Sequence, residues 1–330
     1  MRTKNNRKAV KALTLGSAVA LGGTALACAY VELMTSVIAR RRNALLAEFT
    51  ERCTTPPAER DHGKLSPAAT AAKALTTLPV SLCNPEGLTL RGRYYPTTNP
   101  KRLLILFHGL HSAWYRDFGA AIPFFHANGC DLLLVDQRCH GESEGEYITY
   151  GIKERYDVLS WLSWAEQHLP PLPIYLGGLS MGASTVLMAT GLPVAGRIRG
   201  VIADCGYTSP RDIIDMTMKK TLKLASPLTM VCVEANCRIK ENWRMREYSV
   251  LDAMAVNTHT PILFIHGDAD RLVPCDMSVE SFQACRAPKE LFVVRGAGHG
   301  LAYVTDPAGY EQHVLDFFSK HDPESEVTPS

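Results

Sequence analysis

The sequence is short of the usual metal and phosphate signatures. Its ten cysteines form no Cys-x-x-Cys pair and no Cys/His zinc spacing, and there is no His-Glu-x-x-His and no phosphate loop. Zinc-finger, zincin and P-loop chemistry therefore have no support, and no cofactor or metal is expected. Most of the cysteines sit singly in apolar stretches, as Cys130, Cys205 and Cys285 do, and read as small buried hydrophobes. Charge of one sign is also lacking: 35 Lys and Arg against 33 Asp and Glu leave +2, which argues against a nucleic-acid partner. Internal repeats are absent.

One stretch lacks charge altogether. From Ala12 to Val31 no Asp, Glu, Lys, Arg or His occurs, after a start containing Arg2, Lys4, Arg7, Lys8 and Lys11. About twenty residues suffice for one helical crossing of a bilayer, so residues 1–42 are expected to be a basic N-terminus with a membrane anchor. A cleaved signal segment with secretion is the rival, because Ala25-Leu26-Ala27 resembles a cleavage site. Heavier positive charge before the span places the following domain outside the cytoplasm, although Arg40-Arg41-Arg42 weakens that orientation. Residues 43–79 read as a linker or helical stalk, and residues 321–330 as a polar tail.

What is present between them is alternation. Short apolar runs at Leu88–Tyr95, Leu103–Phe107, Leu132–Val135, Ile174–Gly177, Gly200–Ala203, Pro261–His266 and Leu291–Val294 read as strands. Helical patterns fall between them, near 118–127, 153–167, 278–284 and 310–318. This predicts an α/β fold over 80–320 with a mostly parallel sheet covered on both faces. The stretch 206–257 breaks the rhythm and reads as an insert. Its Met216, Met218, Leu222, Leu224 and Trp243 are explained equally by an acyl pocket and by packing of the insert itself.

Gly-x-Ser-x-Gly occurs twice, at Ser143 and at Ser180. Only Ser180 has a strand-like run before it and a helix-forming run after it, the context a nucleophile elbow requires. Ser143 reads as a loop residue. A serine hydroxyl needs a base, and the base needs an orienting acid. Two later strand ends supply these types: Asp268 and Asp270 after His266-Gly267, and His299 within Gly298-His299-Gly300. His108, His140 and His266 read as loop supports.

In these residues the chain resembles bacterial α/β-hydrolases of the serine-esterase and serine-aminopeptidase-like group. The resemblance rests on His108-Gly109-Leu110, Asp136-Gln137-Arg138-Cys139-His140-Gly141-Glu142-Ser143, the elbow at Ser180, His266-Gly267-Asp268-Ala269-Asp270-Arg271-Leu272-Val273-Pro274, and His299, and it covers about 88–318. Cys139 departs from the smaller residue common at that position. The resemblance implies a catalytic triad of Ser180, Asp270 and His299, with Asp268 holding the turn. Asp204 is a further acid candidate, because some related enzymes take the acid from that strand. It also implies an oxyanion hole from the backbone N–H groups of Leu110 and Met181, and a lid at about 206–257. The expected activity is ester or thioester hydrolysis through an acyl-enzyme, on a small acyl substrate or a short peptide. Aminopeptidase, amidase or acyltransferase chemistry on the same triad, and a non-catalytic binding protein on this scaffold, are the alternatives.

Overall fold

The computed structural model describes residues 29–36, 39–40, 65–194, 198–222 and 227–322. Among them, eight strands make one sheet in the order β1-β2-β4-β3-β5-β6-β7-β8. These are β1 (Leu78–Cys83), β2 (Thr89–Tyr95), β3 (Arg102–Phe107), β4 (Cys130–Asp136), β5 (Ile174–Leu179), β6 (Ile198–Asp204), β7 (Ile262–Gly267) and β8 (Lys289–Val294). β1 and β2 pair antiparallel, β2 meets β4 antiparallel, and β3 to β8 run parallel. Every residue of β3, β4, β5 and β7 is buried. That is why these strands read as unbroken apolar runs: a parallel sheet covered on both faces has no polar side to alternate with.

The helices are α1 (Pro67–Lys73), α2 (Trp114–Asp117), α3 (Ile122–Ala127), α4 (Glu154–His168), α5 (Met181–Ala189), α6 (Pro210–Leu222), α7 (Pro227–Glu241), α8 (Val250–Val256), α9 (Cys275–Ala284), α10 (Ala302–Thr305) and α11 (Pro307–His321). One face of the sheet packs on α4, α5 and α8 through Trp161, Val186 and Met254. The other packs on α3 and α11 through Phe125, Val314, Phe317 and Phe318. In α11, Tyr310, Val314, Phe317 and Phe318 recur at helical spacing, so one stripe turns inward.

The strand order reverses around β3. From β3 the chain moves to β4 on one side, then returns across β3 to β5 on the other. In parallel sheets the crevice at such a reversal, beyond the strands' C-terminal ends, is where ligand groups collect. The turn carrying Ser180 leaves β5 at that point.

Two segments take a more definite form than was expected of them. The stretch read as a linker or helical stalk holds α1 and the start of β1: Ser66 caps α1 by accepting from Ala69 N–H at 3.1 Å, Pro67 takes the first turn, and β1 starts at Leu78. The insert expected at 206–257 holds α6, α7 and α8, with Met218 and Trp243 buried in the main core. The charge-free run Ala12–Val31 lies outside the described residues except for its last three. Among the described residues no helix is long and apolar enough to cross a membrane. The eight cysteines among the described residues are free thiols.

A buried charge pair fixes the loop after β4. Arg138 donates from Nε and Nη2 to the Asp157 carboxylate on α4, at 2.6 and 2.8 Å, and Asn84 donates to the same carboxylate at 2.8 Å. A bidentate pair with its remaining lone pairs satisfied is the form in which buried charge is tolerated. It ties the His140 loop to the scaffold on which the site is built.

Candidate active site

Ser180 sits between β5 and α5 with φ 56° and ψ −115°, a conformation disfavoured for a non-glycine residue. The strain is held by the surroundings. Ser180 N–H donates to Asp204 O at 2.8 Å, and Ser184 N–H donates to Ser180 O at 3.0 Å. The flanking glycines are needed for space. A Cβ on Gly178 would lie 2.4 Å from Gly182 C and O, and one on Gly182 would lie 1.8 Å from Phe107 O.

The structure brings the three expected side chains into one hydrogen-bonded line. His299 Nε2 lies 2.8 Å from Ser180 Oγ, and His299 Nδ1 lies 2.6 Å from Asp270 Oδ2. Because a carboxylate only accepts, Nδ1 carries the proton and Nε2 is free to accept from the hydroxyl. Neither of the other acid candidates bonds His299. Asp268 Oδ1 accepts from Gly296 N–H at 2.6 Å and closes the turn before His299. Asp204 is buried with Oδ1 unpartnered.

Asp270 is held by four donors. Its Oδ1 accepts from Leu272 N–H at 2.8 Å and Val273 N–H at 2.9 Å, and its Oδ2 accepts from His299 and, at 3.1 Å, from His266 Nε2. Burial pushes the carboxyl up, but the hydrogen bonds from His266 and His299 outweigh it and hold Asp270 well below the ordinary carboxylate range. The acid is therefore ionised wherever the histidine is a competent base. His266 was read as a loop support, and its contact with the acid could not be seen in the motif. Ser278 Oγ lies 2.7 Å from His266 Nδ1, so its hydroxyl donates there and leaves the Nε2 proton for Asp270 and Val273 O.

The loop after β3 passes over the serine. A Cβ on Gly109 would stand 3.4 Å from Ser180 Cβ, which brings the Gly109–Leu110 backbone beside the hydroxyl. Asp117 Oδ2 accepts from Gly109 N–H at 2.6 Å, and His140 Nε2 accepts from His111 N–H at 2.9 Å. His108 Nε2 in turn accepts from Gln137 N–H at 3.2 Å. Both histidines thus act on the loop that carries Leu110. Met181 opens α5, where the first backbone N–H groups have no partner within the helix. Ser143 is remote from this line. It is buried, accepts from Arg91 N–H at 2.7 Å and donates to Asp136 O at 2.6 Å.

Asp204 leads to a stability test. Burial pushes its carboxyl from the ordinary 3.8 up to about 6, partly opposed by His266 and His299. Between these values the unfolded chain releases the proton and the folded chain keeps it, so stability falls as pH rises through that window, by about 3 kcal/mol. Asp204→Asn removes the ionisation. Its melting temperature relative to wild type is expected to be several degrees higher at pH 8 than at pH 4, and an offset equal at both would contradict this.

Comparison with known proteins adds the following. The family profile described as Serine aminopeptidase, S33, matches residues 98–259, a span that contains Ser180 and stops before Asp270 and His299. The Pyrococcus furiosus esterase Pf2001 superposes with a TM-score of 0.63 at 23% identity, covering 82% of this chain and 99% of that one. The chain has the α/β-hydrolase fold. The α/β hydrolase GrgF from Penicillium sp. superposes at 0.60 with 20% identity over 75% of this chain and 99% of its own. In sequence, this chain is 26% identical to the uncharacterized protein YqkD of Bacillus subtilis over 239 residues, 70% of this chain and 75% of YqkD. It is 33% identical to human monoglyceride lipase over 114 residues, 32% of this chain and 36% of the lipase.

Proposed function

We propose that the chain is a serine hydrolase that cleaves carboxylic ester or thioester bonds through Ser180, His299 and Asp270. The observation that carries this reading is the continuous line from Ser180 Oγ through His299 to Asp270, with 2.8 Å and 2.6 Å links. In the proposed mechanism His299 Nε2 takes the hydroxyl proton as Ser180 Oγ attacks the carbonyl carbon. Asp270 stabilises the imidazolium without itself becoming protonated. The backbone N–H groups of Leu110 and Met181 receive the developing oxyanion, and such donors contribute about 3 kcal/mol each. His299 then gives its proton to the leaving alcohol or thiol, which departs as the carbonyl re-forms. Water, deprotonated by His299, releases the acid from the acyl-enzyme.

The esterase and lipase among the similar proteins favour the ester over the amide. We also read the charge-free run Ala12–Val31 as an uncleaved membrane anchor.

The test is reaction with a fluorophosphonate, followed by peptide mapping. The adduct is expected on Ser180 in the wild type and in Ser143→Ala, with no label in Ser180→Ala. An adduct on Ser143 or elsewhere would overturn the assignment. Graded p-nitrophenyl esters are expected to turn over at least 100-fold faster than aminoacyl-anilides. The reverse ratio would make the chain a peptidase.

A further inference from the structure

The helix α7 is apolar on two opposite faces, and the core uses only one of them. Met230, Val233 and Cys237 are buried, at the spacing of a core stripe. Leu228, Val231, Ala235 and Ile239 follow spacings of three, four and four on the other side, and all four are exposed. Leu228 is 72%, Val231 60% and Ile239 81% accessible, so this is no half-covered rim. Of the nine large apolar side chains exposed among the described residues, three lie on this one helix face. A fourth, Leu33, lies on the helical segment 29–36, which is fastened to the flank of α7. Scattered single exposures need no explanation, whereas a row on one element does.

The neighbouring segment indicates what covers this row. Asn236 donates to Thr35 Oγ1 at 2.8 Å and to Glu32 Oε2 at 3.2 Å, and Lys240 pairs with Glu32. The helix at 29–36 is therefore held beside α7, and it is where the charge-free run beginning at Ala12 ends. A run of that length is matched to a bilayer core. Arg238 stands exposed beside the apolar row, so its stem can lie along a lipid surface with the charge at headgroup level.

We propose that the outer face of α7, formed by Leu228, Val231, Ala235 and Ile239, rests in the interfacial layer of a lipid bilayer beside Leu33. The insert that follows β6 is thereby a second membrane contact, distinct from the N-terminal run. This inference rests on the membrane-anchor reading of Ala12–Val31 and not on the chemistry proposed for Ser180.

The test uses the full chain in phosphatidylcholine vesicles containing phosphatidylglycerol, with and without brominated acyl chains. Tryptophan is introduced by Ile239→Trp or Val231→Trp, with Val304→Trp as an exposed control on α10. Bromine is expected to lower the added fluorescence at 231 and 239 by about half and to leave that at 304 unchanged. Equal quenching at 304, or none at 231 and 239, would overturn the proposal. So would shielding of the tryptophan that persists in detergent, whether it vanishes on dilution (a second copy as the occupant) or does not (residues 12–28 folded over the face).

Discussion

Ser180→Ala is expected to lower ester turnover by about 10⁶-fold and Asp270→Asn by about 10⁴-fold, with folding intact in both. The two losses differ because they remove different things. Without the hydroxyl there is no acyl-enzyme, and only the oxyanion donors and binding remain. With asparagine at 270 the hydroxyl and imidazole stay in place, but the acceptor for the His299 Nδ1 proton is compromised. Oδ2 receives both His299 and His266, and Oδ1 receives two backbone N–H groups. Every carboxylate position thus faces a donor, so the amide NH₂ of asparagine meets a donor however it is turned. Rotated toward His299, it stabilises the tautomer with the proton on Nε2, which cannot accept from the serine. The loss is expected in kcat, with KM changed less than threefold, in steady-state assays of a p-nitrophenyl ester. A loss of under 100-fold for Asp270→Asn would transfer the role to another carboxylate, and Asp204 is the one within electrostatic reach of His299.

Gly182→Ala is expected to prevent folding, although it adds a single methyl. The added Cβ would stand 1.8 Å from Phe107 O and 2.5 Å from Phe107 C, where 3.0 Å is the practical minimum. Neither neighbour is a side chain that can swing away. Both belong to β3, whose hydrogen bonds to β4 and β5 hold it at the centre of the sheet. Relief requires α5 to lift from β3, which would uncover Val186 and Leu187 from the core. A cost of about 4 kcal/mol or more follows, comparable to the whole stability of many domains. The expected observation is insoluble protein, or a melting temperature at least 10 °C lower where any is soluble. Gly87→Ala is the control: its φ of 84° adds strain, but nothing lies within 4 Å of the new Cβ. It is expected to cost about 1–2 kcal/mol.

The central strands were legible because burial on both faces leaves one kind of signal, a short apolar run ending at glycine. Ile174–Leu179 and Ile262–Gly267 are of this kind. The edge was not legible. β1 is an edge strand whose only inward residues are Val80 and Leu82, with Pro79 and Ser81 exposed between and beside them, so its alternation is too short to stand out from the preceding Ala- and Thr-rich stretch. The helical character of the insert was expected from the resemblance, but the bounds of its helices were not legible, because the two-faced α7 is apolar on both sides and its pattern averages out. At the site, residue types could be assigned to strand ends, because the fold delivers those ends to one place. The second donor to Asp270 was hidden, since the meeting of His266, Ser278 and the acid depends on how α9 packs on β7. The cap of α1 at Ser66-Pro67 was legible in principle, but an Ala- and Thr-rich surrounding reads as linker.

The distance along the chain between the parts of the site has a consequence for the protein while it is being made. Ser180 and His299 are 119 residues apart. At a synthesis rate of about 5–20 residues per second, the serine precedes its base by roughly 6–24 seconds. During that interval the elbow has no proton acceptor and its strained turn has no β7 or β8 beside it. On the proposed mechanism a nascent chain is therefore expected to be inert toward the acyl compounds around the ribosome. On the proposed mechanism reactivity appears only once His299 has been delivered, so a product truncated anywhere before His299 is expected to lack activity.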